Sequence, residues 1–393
     1  GGKTWTPLAT ADIKAYAHVI REDLKTPNLL FLGTEFGLYI SLDAGKNWTR
    51  FKNNLPMVSV RDMVIHPREN DLVMGTHGRG IIIIDDISPL RQITPEMATK
   101  KLTFLKPKPI MIKSLGGGQE FPGAAEFIGE NPSANGKIIY FQKKRHIFGT
   151  MKIEIFDAKD QFIANLPAVK SAGLNVVEWS PRLNPPKVPK AKTFTFGAFT
   201  GPLLPEGQYK VKLTKGKDTF ETTIEVKTDP NSTFDATDRK LYQKTTMRLY
   251  NLIEKLAYTT EVIQSMMQQT KAKAGKEKKN SRLSKKLMTM YEKLSKFNSE
   301  LVITSGDNYT DSAEDRLNDK LSGLYGDISS YSGRPSKDQL QRADVLEKRV
   351  EKAYQRMMKI QNKELKEMNA RLAKAKIAEI KVKTMEQFKK KSR

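Results

Sequence analysis

A multidomain chain, two β-rich regions followed by an α-helical one, is what this sequence predicts, and three observations predict it. A strand–turn–strand unit with a Gly-Thr turn occurs twice within residues 1–100. Residues 101–228 continue as apolar and polar alternations separated by turn residues. From residue 236 the apolar period changes to 3.6 and proline almost disappears. Strands and helices segregated in this way argue for separate domains rather than an interleaved βαβ sheet. The expected bounds are 1–100, 101–228 and 236–393.

Composition narrows the function classes. The 393 residues are 38% hydrophobic and 28% charged, enough for real cores. The absence of cysteine excludes a disulfide scaffold, thiolate zinc sites, Fe–S clusters and a cysteine nucleophile. The longest apolar run, Gly80-Ile81-Ile82-Ile83-Ile84, stops at Asp85-Asp86, far short of the roughly 20 residues of a membrane span. Residues 236–393 hold 36 basic and 20 acidic side chains, an excess of 16 out of the chain's net +24. The densest stretch carries Lys271, Lys273, Lys276, Lys278, Lys279, Arg282, Lys285 and Lys286 against Glu277 alone. No aromatic residue interleaves it, so it lacks the stacking platforms of a single-strand binder. A solvated loop between two helices is the favoured reading, and a patch for an anionic partner the alternative.

The first region is built from a repeat. Asn28 to Thr34 (NLLFLGT) runs into Gly37-Leu38-Tyr39-Ile40-Ser41, and Asn70 to Thr76 (NDLVMGT) runs into Gly80-Ile81-Ile82-Ile83-Ile84. Each is preceded by an apolar strand and a proline, Pro27 and Pro67. A four-stranded unit recurring at about 40–50 residues is the signature of β-propeller blades. Between the repeats, Ser41-Leu42-Asp43-Ala44-Gly45-Lys46-Asn47-Trp48 fits S-x-D-x-G-x-x-W, the Asp-box. In such a hairpin the Asp43 carboxylate accepts backbone N–H groups, Gly45 takes a backbone angle other residues avoid, and Trp48 packs on the turn. Ser41, Asp43, Gly45 and Trp48 are therefore read as structural, with Asp43 consumed by its own turn. Gly1-Gly2-Lys3-Thr4-Trp5 reads as the second half of another box. The expectation is an incomplete propeller, its other blades supplied by a longer parent chain or by a partner.

Residues 101–228 predict an immunoglobulin-like β-sandwich of some seven strands. Strands are expected around Ile110, 137–141, 151–156, 174–179, 209–213 and 220–226, with turns at 157–160, 205–207 and 215–218. Trp179 is expected in the inter-sheet core. The proline-rich loop 181–205 is expected to lie against a neighbouring domain. The helical region predicts an amphipathic helix over 237–269, a second over 283–303, a third over 312–331 stopped by Gly333-Arg334-Pro335, and a long fourth from Ser336 to about 377. At ~1.5 Å per residue the last runs about 60 Å. Such a set predicts a bundle or helical hairpin, with the methionines at 266, 267, 288, 290, 357, 358 and 368 in its core.

Catalytic patterns are not found. His18, His66, His77 and His146 include no i,i+4 pair, so no helical metal site is expected. Gly116-Gly117-Gly118 is followed by Gln119-Glu120-Phe121-Pro122 and not by a lysine and helix. Asp85-Asp86 reads as a strand-end corner. No catalytic residue, metal or cofactor is expected.

The run 19–23, the run 27–39 with its Asp-box, Val64-Ile65-His66-Pro67-Arg68 and Gly75-Thr76-His77-Gly78-Arg79-Gly80 resemble the last propeller blades of large bacterial sortilin-like or glycosyl-hydrolase-like BNR-repeat proteins. Leu204-Pro205-Glu206-Gly207-Gln208-Tyr209 and Leu324-Tyr325-Gly326-Asp327-Ile328 look like that family's C-terminal part. The resemblance implies export to an extracellular, cell-surface or periplasmic setting. It implies a non-catalytic binding or scaffold region that engages a protein partner, the other blades, or a surface glycan. The alternative is the accessory tail of a secreted glycoside hydrolase whose active site lies in the other blades. A nucleic-acid partner is not expected.

Overall fold

In the computed structural model the described residues are 2–112, 133, 135–192, 195, 197–278, 281–305, 316–331 and 333–390. The triglycine at 116–118, residues 193, 194 and 196 of the proline-rich loop, Lys279 and the start of the third expected helix lie outside them.

The first unit is two antiparallel sheets packed face to face. Strands β1 (Ala17–Glu22), β2 (Leu30–Thr34), β3 (Gly37–Ser41) and β4 (Thr49–Arg50) form one sheet in that order. Strands β5 (Val60–Ile65), β6 (Leu72–Thr76) and β7 (Ile81–Ile84) form the second. Leu29, Phe31 and Leu38 meet Val60, Met63, Ile65, Leu72 and Met74 between them. The Gly-Thr motif closes both turns in one way: Thr34 Oγ1 donates to Gly37 O at 2.9 Å and Thr76 Oγ1 to Gly80 O at 2.6 Å. A four-stranded repeat was expected, but the second sheet has three described strands. After Ile84 the chain turns at Asp86, in the left-handed region (φ 53°), and leaves through a 3₁₀ turn, Leu90–Gln92, and helix α1 (Pro95–Thr99). No strand is assigned to residues 6–8, which follow the half-box.

The sandwich pairs a three-stranded with a five-stranded sheet. Its strands are β8 (Leu102–Phe104), β9 (Ile110–Ile112), β10 (Gly136–Gln142), β11 (Met151–Phe156), β12 (Phe162–Pro167), β13 (Gly173–Trp179), β14 (Gly207–Lys215) and β15 (Asp218–Thr228). The sheet orders are β13-β10-β8 and β12-β11-β14-β15-β9, and β9 joins β15 parallel. Strands β8 and β12 carry too few alternating apolar positions to be read from sequence. Trp179 is 2% exposed and meets Tyr209 edge-on at 5.6 Å, so it is inter-sheet core.

The helical region is organised around α2 (Ala236–Lys276), against which α3 (Arg282–Leu301), α4 (Leu317–Ser330) and α5 (Lys337–Lys359) pack. Asp235 caps α2, accepting from Asp238 N at 2.8 Å, and Ser281 caps α3. The buried hydroxyls of Thr246 and Thr260 return to the carbonyls of Tyr242 and Leu256 four residues back, which lets α2 bury them. Helix α2 runs seven residues past its expected end, because 270–276 offers no proline and strong helix formers such as Lys and Ala. The long fourth helix is not uniform. A π-helical segment, Ile360–Leu365, separates α5 from α6 (Lys366–Lys374). The cause is in the stripe: Met357, Ile360, Leu365, Met368 and Leu372 are all buried, and the five-residue step from 360 to 365 suits an i→i+5 turn. Val345, apolar and on the same helix, is outside the buried stripe and 57% exposed. The tail then returns along α2, where Gln269 bonds both backbone groups of Lys381 (3.0 and 2.6 Å), and ends in α7 (Met385–Lys390) with Phe388 against Tyr258.

The proline-rich loop docks on this bundle. Ala198 and Leu203 join its core, Lys192 N donates to Ile303 O at 3.0 Å, and Tyr325 Oη donates to Thr200 O at 2.7 Å.

Candidate functional site

Two polar clusters of the first unit bear on its function. The Asp-box turn comes first. Asp43 Oδ1 accepts from Ser41 Oγ at 2.8 Å and from Asn47 N at 2.9 Å, and Oδ2 accepts from Asn47 Nδ2 at 2.7 Å. Ser41 Oγ in turn accepts from Gly45 N at 2.8 Å. Gly45 sits at φ 86°, and a Cβ there would lie 3.1 Å from Leu8 Cδ2. Trp48 is 5% exposed and donates to Leu8 O at 2.9 Å, whereas Trp5 is 89% exposed. Partial burial opposes ionisation of Asp43, but Asn47 and Ser41 outweigh it and hold the carboxyl below its ordinary value. Asp43→Ala removes all three bonds and is expected to cost about 1–2 kcal/mol. Urea unfolding measures this, and a loss under a few tenths would mean that the turn closes without its carboxylate.

The second place was not legible as a motif. In both sheets the pairing of the first two strands slips by one residue, between 17 and 19 and between 60 and 62. The residues on these bulges are His18 and Arg61, and a bulge re-aims its side chain. Both meet at Glu35, in the turn after β2. His18 Nε2 lies 2.6 Å from Glu35 Oε2, Ser59 Oγ donates to the same oxygen at 3.1 Å, and Arg61 Nη2 is 3.4 Å away. His77, at Glu35's place in the second repeat, ties its backbone N–H to Ser59 O. The His18 contact, with Ser59 and Arg61 behind it, lowers the Glu35 pKa against a smaller burial effect. His18 and Ser59 thus hold Glu35 as a hydrogen-bond acceptor, with Arg61 beside it. Arg61 is half exposed beside it, so the knot offers a cation to a polar ligand. Superposing the two repeats along the sequence pairs 18 with 61 and 35 with 77, but it gives only equivalent positions, and their approach depends on how the two sheets pack.

The lysine-rich stretch is mostly helix and not loop. Lys271, Lys273 and Lys276 lie on the last turns of α2, Lys278 in the connection, and Arg282, Lys285 and Lys286 on the first turns of α3. Lys271 Nζ stands 5.3 Å from the Tyr291 ring centre. Desolvation, then the charges of Arg371 and Arg282, lower the Lys286 pKa. The fold thus adds Arg371 of α6 to the cationic end. Among the described residues no group of three or more His, Asp or Glu side chains is placed to hold a metal. No helix among them is long and apolar enough to cross a membrane.

No family model matches the sequence, and no curated protein matches it. One solved structure, the extracellular domain of the putative hybrid two component system BT4673 from B. thetaiotaomicron, aligns at 10% identity over 56% of this chain and 26% of that chain, with a TM-score of 0.16.

Proposed function

We propose that this chain is a non-catalytic binding and scaffold region of an exported, sortilin-like Asp-box protein, its first two sheets being β-propeller blades. The observation that supports this best is an open apolar sheet face. Val64, Val73 and Ile83 lie side by side across β5, β6 and β7, with Ile81 beside them. Val64, Ile81 and Ile83 are 59%, 72% and 54% exposed, on the side away from the packed core. A contiguous apolar sheet face of this kind favours a covering surface, either a further blade or a protein partner. The Asp43 carboxylate, spent on its own turn, agrees with a binding role. Sedimentation velocity on the purified chain tests the face. Concentration-dependent association is expected for the natural sequence and is expected to vanish with Ile81→Lys plus Ile83→Lys at unchanged melting temperature. A natural chain that stays monomeric at high concentration would sink this reading.

The alternative, an accessory part of a secreted glycoside hydrolase, draws on the polar knot at Glu35. Hydrolysis of a polysaccharide by a longer protein carrying this chain, abolished by substituting a carboxylate of its other blades, would favour it over the scaffold role.

A further inference from the structure

A cavity of about 470 Å³ lies where the sandwich meets the first three turns of α2, within the roughly 300–1,000 Å³ typical of small-molecule sites. Its apolar wall comes from both domains: Ile112, Leu203 and Leu204 from the sandwich side, and Met247 with the Tyr242 ring from α2. Ile112 packs against both hydrophobic cores, so this wall is part of the junction itself.

The charged side of the cavity is unbalanced. Its lining holds one acid, Glu206, and three cations, Arg239, Lys240 and Lys244. Glu206 is already neutralised: Oε1 takes Arg239 Nε at 2.6 Å and also accepts from Thr228 Oγ1. Arg239 spends Nη1 on Phe234 O at 2.6 Å. Lys240 and Lys244 are exposed, one helical turn apart, and among the described residues neither has an acidic partner. Two uncompensated ammonium groups at the edge of an apolar hollow match a ligand with an apolar body and one anionic end.

We infer that this junction cavity binds an amphipathic monoanion, an acyl chain ending in a carboxylate, with the chain against Leu203, Leu204 and Met247 and the carboxylate at Lys240 and Lys244. The site is independent of the open face on the first unit and of the scaffold role. Occupancy would couple the sandwich to α2, because the ligand touches both. Isothermal titration of the full chain with decanoate tests it, with decanol (same chain, no charge) and acetate (same charge, no chain) as arms. Saturable decanoate binding is expected, with decanol and acetate much weaker. Lys240→Gln plus Lys244→Gln is expected to weaken decanoate about tenfold, the loss of two partly screened charge contacts, at unchanged melting temperature. No decanoate binding up to about 1 mM, decanol bound as tightly as decanoate, or a double variant within about twofold of the natural chain would each overturn the inference.

Discussion

Arg91→Ala is expected to lower the stability of the first unit by about 3–5 kcal/mol, among the largest single-site losses in the molecule. The Asp23 side chain is fully buried and Arg91 is 11% exposed. The guanidinium grips the carboxylate with two bonds, Nε to Oδ2 at 2.9 Å and Nη2 to Oδ1 at 2.7 Å, and sends Nη1 to Asn70 Oδ1 at 2.7 Å. The carboxylate also accepts from Lys25 N and Thr26 N. Three stretches meet here: the turn after β1, the turn before β6, and the 3₁₀ turn through which the chain leaves the sheets. Removing Arg91 leaves a buried carboxylate with only backbone partners, which costs more than the pair contributes. Asp23→Asn in the same chain is expected to recover part of the loss, since it removes the stranded charge. Urea unfolding followed at Trp48 reads both, and a loss below about 1 kcal/mol would show that water reaches the carboxylate.

The same pair fixes an acid limit. Burial raises the Asp23 pKa, but the Arg91 bonds and the two backbone N–H groups outweigh it, and the net shift is downward. A carboxyl depressed on folding contributes stability above its unfolded pKa and loses it as pH falls through the folded value. The first unit should therefore weaken below pH about 4, and the Asp23→Asn chain should lack that part of the acid slope.

Two glycines three residues apart on α4 are expected to respond in opposite directions. A Cβ on Gly326 would stand 2.6 Å from Gly197 Cα, where the proline-rich loop crosses the helix. A Cβ on Gly323 would meet nothing within 4 Å. Both substitutions gain about 0.5–1 kcal/mol from helix propensity. At Gly323 that gain stands alone, and Gly323→Ala should stabilise. At Gly326 the loop backbone has to move, and overpacking of about 1–3 kcal/mol exceeds the gain. Gly326→Ala should therefore destabilise and loosen the sandwich on the bundle, with Tyr325 Oη losing Thr200 O. Thermal unfolding ranks the two variants, and hydrogen exchange at the loop locates the effect. Equal shifts for both would mean that the loop is not seated on α4.

Much of the fold is written in local pattern. The strands at 30–34 and 72–76, the hairpin at 41–48 and the caps Asp235, Ser281 and Ser336 follow from alternation, turn chemistry and side-chain acceptors close by in sequence. The π-helical turn was legible too, in the five-residue step between Ile360 and Leu365, but a stripe read at a fixed period of 3.6 hides it. The lysines at 271–276 were misread as loop because a charge run resembles solvated chain, while their backbone propensity is helical. Strands β8 and β12 escaped because each is held by its partners more than by its own alternation.

Sequence alone determined the order of the three regions, the repeat with its Gly-Thr turns, and the commitment of Asp43 to its own hairpin. These rest on interactions between residues near one another in the chain. Tertiary structure decided the rest. It brings His18, Glu35, Ser59 and Arg61 to one point through two bulges, and joins Arg91 to Asp23 across 68 positions. It adds Arg371 to the cationic end, and it separates Gly326 from Gly323. Each depends on groups distant in sequence whose approach is set by packing, and no local period or spacing encodes such an approach.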